Sequence, residues 1–471
     1  LASTNKTRKG SFTEKTAEGA PAARMTPIQA LRRSVMSCLL WEGEFYESGQ
    51  TIAERISSLS EQVSPQDLAA IAIEAREVGK LRHVPLLLLV TLCKRGSGAP
   101  DSLVSKTIER VIQRADELSE LLALYWKING ADASLSKQLK LGLAAAFAKF
   151  DAYQIGKYDR SNDVRLRDVL FLSHAKPTDA AREALYKELV AGELAAPDTW
   201  EVALSAGGDK KAEFTRLLET GKLGYMALLR NLRNMTQAGV DEALIRGALV
   251  ARKGADRVLP FRFLTAAKYA PRYEDALQEA LLAVTAAGPK LKGKTVVLVD
   301  TSGSMGAKLS GKSELTRLDA SIALTAVLRE QCEQAVIYAT AGNDSLRTAK
   351  QAMIPSSRRG FGLIAALQYS EISRQVGGGG IFLSQAMAWV QAREPDADRI
   401  VVITDEQDTS RDNPRKVKPY TEKAYMINVA SAKNGIGYSN WVHIDGFSES
   451  AVRYMLELEA AGLDALGDNA G

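Results

Sequence analysis

Residues 296–313 read VVLVDTSGSMGAKLSGKS, and two motifs overlap in them. Asp300, Ser302 and Ser304 give the spacing D-x-S-x-S directly behind an apolar, β-branched run. Gly306 to Ser313, GAKLSGKS, fits the phosphate-loop pattern G-x-x-x-x-G-K-[ST]. A phosphate loop starts where its strand stops and wraps phosphate at the next helix start. Here Thr301 to Met305 intervene, and a helix start is offered only near Thr316 to Asp319. The nucleotide reading therefore fails on geometry, and residues 306–313 read as a polar surface insertion. The cation reading places well. One carboxylate and two hydroxyls on a single loop suit a hard ion, Mg²⁺ or another divalent cation. Asp405, which closes RIVVITD (399–405), adds a second carboxylate through water.

The surrounding text has the grammar of an α/β fold. TVVLVD (295–300), AVIYATA (335–341), RIVVITD (399–405) and KAYMINVA (423–430) read as buried strands. Helical patterns at Asp319–Gln331 and Leu383–Ala392 alternate with them, which predicts a mostly parallel, doubly wound sheet. Such sheets bind ligands at the carboxyl ends of their strands, where Asp300 and Asp405 fall. The combination resembles the von Willebrand factor A domain. That family also takes a Thr ligand from a Gly-rich loop. In this chain the loop is VGGGGIFL (376–383), with Gly380 or Ile381 at the Thr position. Two outcomes stay open: a divalent ion held more weakly by the remaining groups and waters, or a vestigial site that shapes the loop without metal.

Upstream the grammar is helical from about Pro27 to Ala287. Leu103, Val104, Ile108, Val111 and Ile112 share one helical stripe, as do Leu139, Leu143, Phe147 and Phe150. Breaks recur at Gly96-Ser97-Gly98, Asn129-Gly130, Ala175-Lys176-Pro177, Gly207-Gly208 and Gly254. About a dozen helices with short joints predict an α-solenoid of stacked, HEAT-like pairs. The expected organisation is a flexible basic arm over 1–24, carrying Lys6, Arg8 and Lys9, a helical-repeat part over 25–288, and the A-type domain over 289–471.

Bulk properties exclude several classes. The chain has 471 residues, 46% hydrophobic and 25% charged, ordinary for a globular protein. Cys38, Cys93 and Cys332 are too few and too scattered for a disulfide framework or zinc site. The longest apolar run, Val84 to Cys93, is too short to span a bilayer, and the N-terminal text has no apolar signal core. A cytoplasmic monomer is the expectation. Residues 1–290 carry a balance of +6 and residues 291–471 one of −1, giving the net +5. The excess sits in the helical part and favours an anionic partner there.

Six ordered blocks in that part carry a second resemblance. They are NKTRKGS (5–11), RRSVMSCLLWEGEFYESGQTIAERI (32–56), LRHVPLLLL (81–89), LRDVLFLSHAKP (166–177), MALLRNLRNMT (226–236) and LPFRFLTA (259–266). With the A-type domain behind them, they look like the Ro autoantigen family of the bacterial type, whose helical part is the TROVE module. The resemblance implies helical repeats closed into a ring by the A-type domain. It implies that single-stranded 3′ ends of misfolded RNAs thread a basic hole, and that a small structured Y RNA docks on the outer surface. It implies a tie to an exoribonuclease such as polynucleotide phosphorylase, and a role in RNA quality control without catalysis by this chain.

The residues themselves nominate an RNA surface. Lys137 and Lys140 lie one turn apart, opposite the Leu and Phe stripe. Lys157 and Arg160 follow. Asn162 or Asp163 is placed to cap a helix that carries Arg167 and His174 two turns apart. By resemblance His174 matches the family's S-H-x-K-P block, whereas Lys157 and Arg160 match less closely because the loop spacing differs. His stacks on bases, and Arg and Lys donate to phosphate oxygens. Arg82, His83, Arg230 and Arg233 complete the set. Each has a structural alternative: Arg165 and Arg167 paired with Asp163 or Asp168, His174 as a helix-end residue, Arg82 and His83 as a helix cap, Arg230 and Arg233 as solvated charge. Trp41, Phe45 and Tyr46 read as core. The three histidines, His83, His174 and His443, form no evident triad, and no carboxylate cluster for two-metal cleavage appears beyond Asp300 and Asp405. The rival function is a metal-dependent protein-interaction scaffold built on the A-type domain.

Overall fold

The computed structural model describes residues 14–15, 21–22, 25–36, 49–79, 81–96, 98–159, 164–195, 198, 200–205, 208–258, 260–286, 290–309, 315–409, 417–430, 432, 435–437, 441–446 and 450–460. The basic arm's Lys6, Arg8 and Lys9, with Trp41, Phe45, Tyr46 and Arg160, fall outside them. The chain divides into two compact units, Ala53–Gly207 and Leu1–Ile52 with Gly208–Gly471. The change from helices to sheet near residue 288 lies inside the latter. Among the described residues no helix is long and apolar enough to cross a membrane.

The unit Ala53–Gly207 is helical. After α1 (Pro27–Met36, in the other unit) and α2 (Gly49–Ser60) come α3 (Pro65–Glu77), α4 (His83–Arg95), α5 (Leu103–Val111), α6 (Asp116–Asn129), α7 (Lys137–Phe147), α8 (Ala152–Tyr158), α9 (Leu166–Ser173), α10 (Ala180–Ala191) and α11 (Trp200–Ser205). Helices pack on sequence neighbours, as α3 on α4 and α4 on α5, and on the next but one, as α3 on α5, α4 on α6, α5 on α7 and α7 on α9. The seam is the predicted stripe, with Val104, Ile108 and Val111 of α5 and Leu139, Leu143 and Phe147 of α7 buried. Gly142 belongs to this seam, because a Cβ there would lie 2.8 Å from the Ile108 Cβ. Starts are capped by side chains: Ser136 accepts from the Leu139 amide at 3.2 Å, and Asp151 accepts from the Gln154 amide at 2.7 Å. Helix α9 begins at Leu166, later than the Asn162 or Asp163 start expected, and those two residues lie outside the described set.

The helices of the second unit are α1, then α12 (Lys210–Glu219), α13 (Tyr225–Gln237), α14 (Glu242–Ala251), α15 (Pro260–Tyr269) and α16 (Glu274–Ala286), followed by those around the sheet. Both kinds of packing recur: α12 on α14, α13 on α15 and α14 on α16, with α13 on α14 and α15 on α16. Two two-residue strands, β1 (Glu14–Lys15) and β2 (Pro21–Ala22), pair antiparallel near the N-terminus. The main sheet has six strands in the order β5-β4-β3-β6-β7-β8. They are β3 (Leu291–Asp300), β4 (Cys332–Asn343), β5 (Thr348–Ile354), β6 (Arg399–Thr404), β7 (Lys423–Asn428) and β8 (Val442–Asp445). The four predicted strands are present and mutually parallel; β5, which the sequence reading omitted, runs antiparallel to β4 and makes the sheet mixed. Residues 295–300 and 399–404 are buried throughout, as strands covered on both faces require. Five helices complete the unit: α17 (Arg317–Gln331), α18 (Gly360–Leu367), α19 (Tyr369–Val376), α20 (Leu383–Gln391) and α21 (Ser450–Ala460). Helix α17 starts where the capping pattern predicts, with Thr316 and Asp319 satisfying each other's backbone amides.

Candidate nucleic-acid interface and the strand-end carboxylates

Parallel pairing of β3 with β6 sets Val299 opposite Ile403, so Asp300 and Asp405 emerge side by side. Asp300 is fully buried. Its Oδ2 accepts from the Thr404 hydroxyl at 2.6 Å and its Oδ1 from the Ser302 amide at 2.8 Å. The Ser302 and Ser304 hydroxyl oxygens are 3.3 Å apart. Burial, then the neighbouring Asp405 carboxylate, pushes the Asp300 pKa up to about 7. The four predicted ligands are thus brought together. Beside them stands a residue that the sequence reading did not name: Arg317, in the first turn of α17, places Nη1 3.3 Å from Asp405 Oδ2, with both side chains buried.

That arrangement does not fit a divalent ion. Hard cations draw on several oxygens with carboxylate charge available. Here Asp405 faces a guanidinium, and both Asp300 oxygens accept internal hydrogen bonds. At Gly380, one of the two residues at the Thr position, the Thr409 side chain fills the space that a Cβ would need. The Thr409 hydroxyl donates to the Ile381 carbonyl at 2.7 Å. Among the described residues no group of three or more His, Cys, Asp or Glu is placed to hold a metal. Outside the carboxylates lies a cavity of about 360 Å³ whose lining includes Ser302, Ser304, Asp344, Arg347, Gln407 and Thr409. Of the phosphate-loop pattern only Gly306 to Leu309 is described, and no α-helix starts there; Lys312 and Ser313 lie outside.

A second buried charge cluster adjoins. Arg33 of α1 sends Nη1 to Glu406 Oε2 at 2.9 Å and Nε to the Ala432 carbonyl at 2.6 Å. His443 on β8 bonds Glu406 through Nε2 and faces Asp445 at 3.3 Å through Nδ1. Burial lowers the His443 pKa, but Asp445 and Glu406 outweigh it and raise it to about 9. Glu406 is held at a left-handed φ of 60°. The block RRSVMS gave Arg33 no special mark in sequence, because its partners lie hundreds of residues away.

The basic candidates divide into three groups. Lys137 and Lys140 sit in the first turn of α7, with Lys137 exposed. Lys157 lies on α8, its ammonium 5.8 Å from the Tyr158 ring centre. Arg167 and His174 belong to α9, which packs on α7. His174 is exposed and ends that helix at a left-handed φ of 55°. Lys137, Lys140, Lys157 and His174 have no carboxylate partner among the described residues, and Arg167 is 3.9 Å from Asp168. Arg82 and His83 are differently placed. Arg82 is held by Asp116 at 2.7 Å and by Glu120, so its charge is used inside the unit. Burial and then the charge of Arg82 lower the His83 pKa. In the other unit, Arg230 and Arg233 lie on the exposed side of α13, with Leu228, Leu229 and Leu232 buried behind them. They share a cavity with Arg262 and Tyr269 of α15. Arg262 stands inside the quoted block LPFRFLTA, but one Arg in an apolar run gives no sign in sequence of which helix it will face.

The family model of the TROVE domain matches residues 181–351. Residues of the chain are 40% identical over 78 positions to telomerase protein component 1 of Mus musculus, and 37% identical over 90 positions to that of Rattus norvegicus. Those alignments span 16% and 18% of this chain and 3% of each relative. In fold, the chain is similar to the crystal structure of the Ro (Rsr) protein of Deinococcus radiodurans. The TM-score is 0.55 at 19% identity, over 90% of this chain and 98% of that one. Residues 181–351 thus match the TROVE domain model, and the chain as a whole is similar in fold to a Ro protein.

Proposed function

We propose that this chain is a non-coding RNA-binding protein without catalytic activity, and that α7, α8 and α9 form part of a surface for single-stranded 3′ ends. The family is one of RNA-binding proteins, which supports the RNA partner. The observation that carries the surface is that Lys137, Lys140, Lys157 and His174, on or at the end of successive helices, have no carboxylate partner among the described residues. A backbone of phosphates supplies the missing negative charge without sequence preference. In this reading the helical repeats close into a ring, the 3′ tail enters its hole, and a Y-like RNA takes the outer surface. An exoribonuclease such as polynucleotide phosphorylase then acts on the captured RNA. The metal-dependent scaffold has no observation in its favour, since Arg317 stands where a bound ion's charge would be needed.

The test is a variant carrying Lys137→Ala, Lys140→Ala, Lys157→Ala and His174→Asn, the last chosen because Asn tolerates left-handed backbone. Affinity for a hairpin with a single-stranded 3′ tail should fall at least about tenfold, and the log–log salt slope should become shallower by about 0.7 for each phosphate no longer neutralised. Unchanged affinity would remove these helices from the RNA surface.

A further inference from the structure

Helix α9 has a packed face and an open one. Leu166, Val169, Leu170 and Ser173 are buried. Arg167, Phe171 and His174 follow one another at i, i+4 and i+7, and all three are exposed. That spacing sets them on one stripe, with steps of about 6 Å and about 4.5 Å along the axis. Phe171 is 59% exposed, more than any other aromatic side chain among the described residues. Its ring makes no contact with another ring or with a cation among them. Arg167 approaches only Asp168, at 3.9 Å, and both side chains are exposed by two-fifths or more. Asp168 is already engaged, because its Oδ2 accepts from the Arg165 amide at 2.8 Å.

The fold of α9 does not call for a phenyl ring at position 171. The buried face is formed by other residues, and Phe is a weaker helix former than Leu or Lys. A phenyl ring also lacks the hydroxyl that lets an exposed Tyr hold water. A single apolar side chain at a surface is ordinary. One set between a guanidinium and an imidazole on the same stripe matches the two needs of an unpaired nucleotide, a flat apolar surface for its base and a cation for its phosphate. We propose that Phe171 is a stacking platform for a base of single-stranded RNA, with Arg167 and His174 meeting the same strand on either side. Every base has a π-face, so the ring accepts any of them. A base inside a duplex is already stacked and paired, so only an unpaired one can lie on it. This rests on the RNA-binding reading above and adds an apolar base contact to a surface otherwise built of cations.

Fluorescence anisotropy with two probes tests it: a short oligoadenylate, and an abasic ribose-phosphate chain of the same length. Phe171→Ala should bind the oligoadenylate about tenfold more weakly, the usual scale for losing one base–aromatic stack. Its salt slope should match wild type, because no phosphate contact is lost. Phe171→Tyr should keep wild-type affinity, whereas Phe171→Leu, apolar but without a π-face, should bind nearly as weakly as the alanine variant. None of the three should alter binding of the abasic chain. The stacking role is overturned, with the RNA reading intact, by a Phe171→Ala protein that binds oligoadenylate like wild type or weakens on both probes alike, or by a Leu variant of full affinity. A wild-type protein that binds neither probe overturns the RNA reading itself. A wild-type dimer in sedimentation that Phe171→Ala converts to monomer, with oligoadenylate affinity unchanged, gives the ring to a second copy of this chain instead.

Discussion

The strand ends of the sheet and the helices α7 to α9 handle charge in opposite ways. At the strand ends, interior acids meet interior cations: Asp405 meets Arg317, and Glu406 and Asp445 meet Arg33 and His443. On the helices Lys137, Lys140, Lys157 and His174 meet no acid among the described residues. The first arrangement is complete without a ligand; the second invites one. A motif of carboxylates and hydroxyls is therefore a weak guide to bound metal when the fold brings its own guanidinium to the same place. A scatter of lysines, weak as sequence evidence, gains force once no acid among the described residues is found to pair with them.

The largest effect expected from this contrast is at Arg33. Arg33→Met keeps the bulk of the side chain but removes the cation that faces Glu406 at 2.9 Å and Asp445 at 3.9 Å. Both acids are fully buried. Breaking one side of a buried ion pair leaves an uncompensated charge in a poor solvent, at a cost of ~3–5 kcal/mol. Denaturant unfolding measures it. A Met variant as stable as wild type would mean that His443 alone balances the two acids.

A somewhat smaller effect is expected at Arg317, whose bond to Asp405 is longer at 3.3 Å. If this guanidinium serves in place of an ion, the wild-type melting temperature should not respond to Mg²⁺ or to chelator. Arg317→Met should lose about 3 kcal/mol in chelator and recover part of it in Mg²⁺, because the two acids then have room for a cation. Wild-type protein that melts earlier on chelation would restore the metal reading.

Legibility followed the range of the physics involved. The seam α5–α7 and the buried stripe of α13 could be read because helical periodicity is local, and so could the four parallel strands, which are continuous β-branched runs. Strand β5, TAKQAMI, escaped because it is an edge strand with Lys350 and Met353 exposed, so its pattern is mixed. Strand β8, only four residues long, gave too little pattern to detect. Asp300 and Asp405 were legible as strand-end acids, whereas their counter-charge was not. Arg317 lies 88 positions from Asp405, and Arg33 lies 373 from Glu406, separations over which a single sequence carries no pairing signal. For the same reason Arg82 looked like an open cation until Asp116 and Glu120 were seen around it. The cavity of Arg230, Arg233 and Arg262 joins two blocks that the sequence displays separately.

The smallest effect is the one that completes the contrast. The four-residue change on α7, α8 and α9 removes three lysine charges that make no ion pair among the described residues. Helix α7 is held by Leu139, Leu143, Ala146 and Phe147, all buried, and its start is fixed by Ser136. Alanine at positions 137, 140 and 157 favours helix slightly more than lysine does. Asn at position 174 accepts the left-handed backbone there with little strain. The free energy of unfolding should therefore stay within ~0.5 kcal/mol of wild type, the usual range for surface changes away from caps and cores. Set beside the loss of RNA affinity, that near-zero value separates a binding role from a structural one. A drop of more than about 1 kcal/mol would mean that these cations hold the unit together, and the distinction between self-satisfied and ligand-seeking charge would no longer divide the molecule.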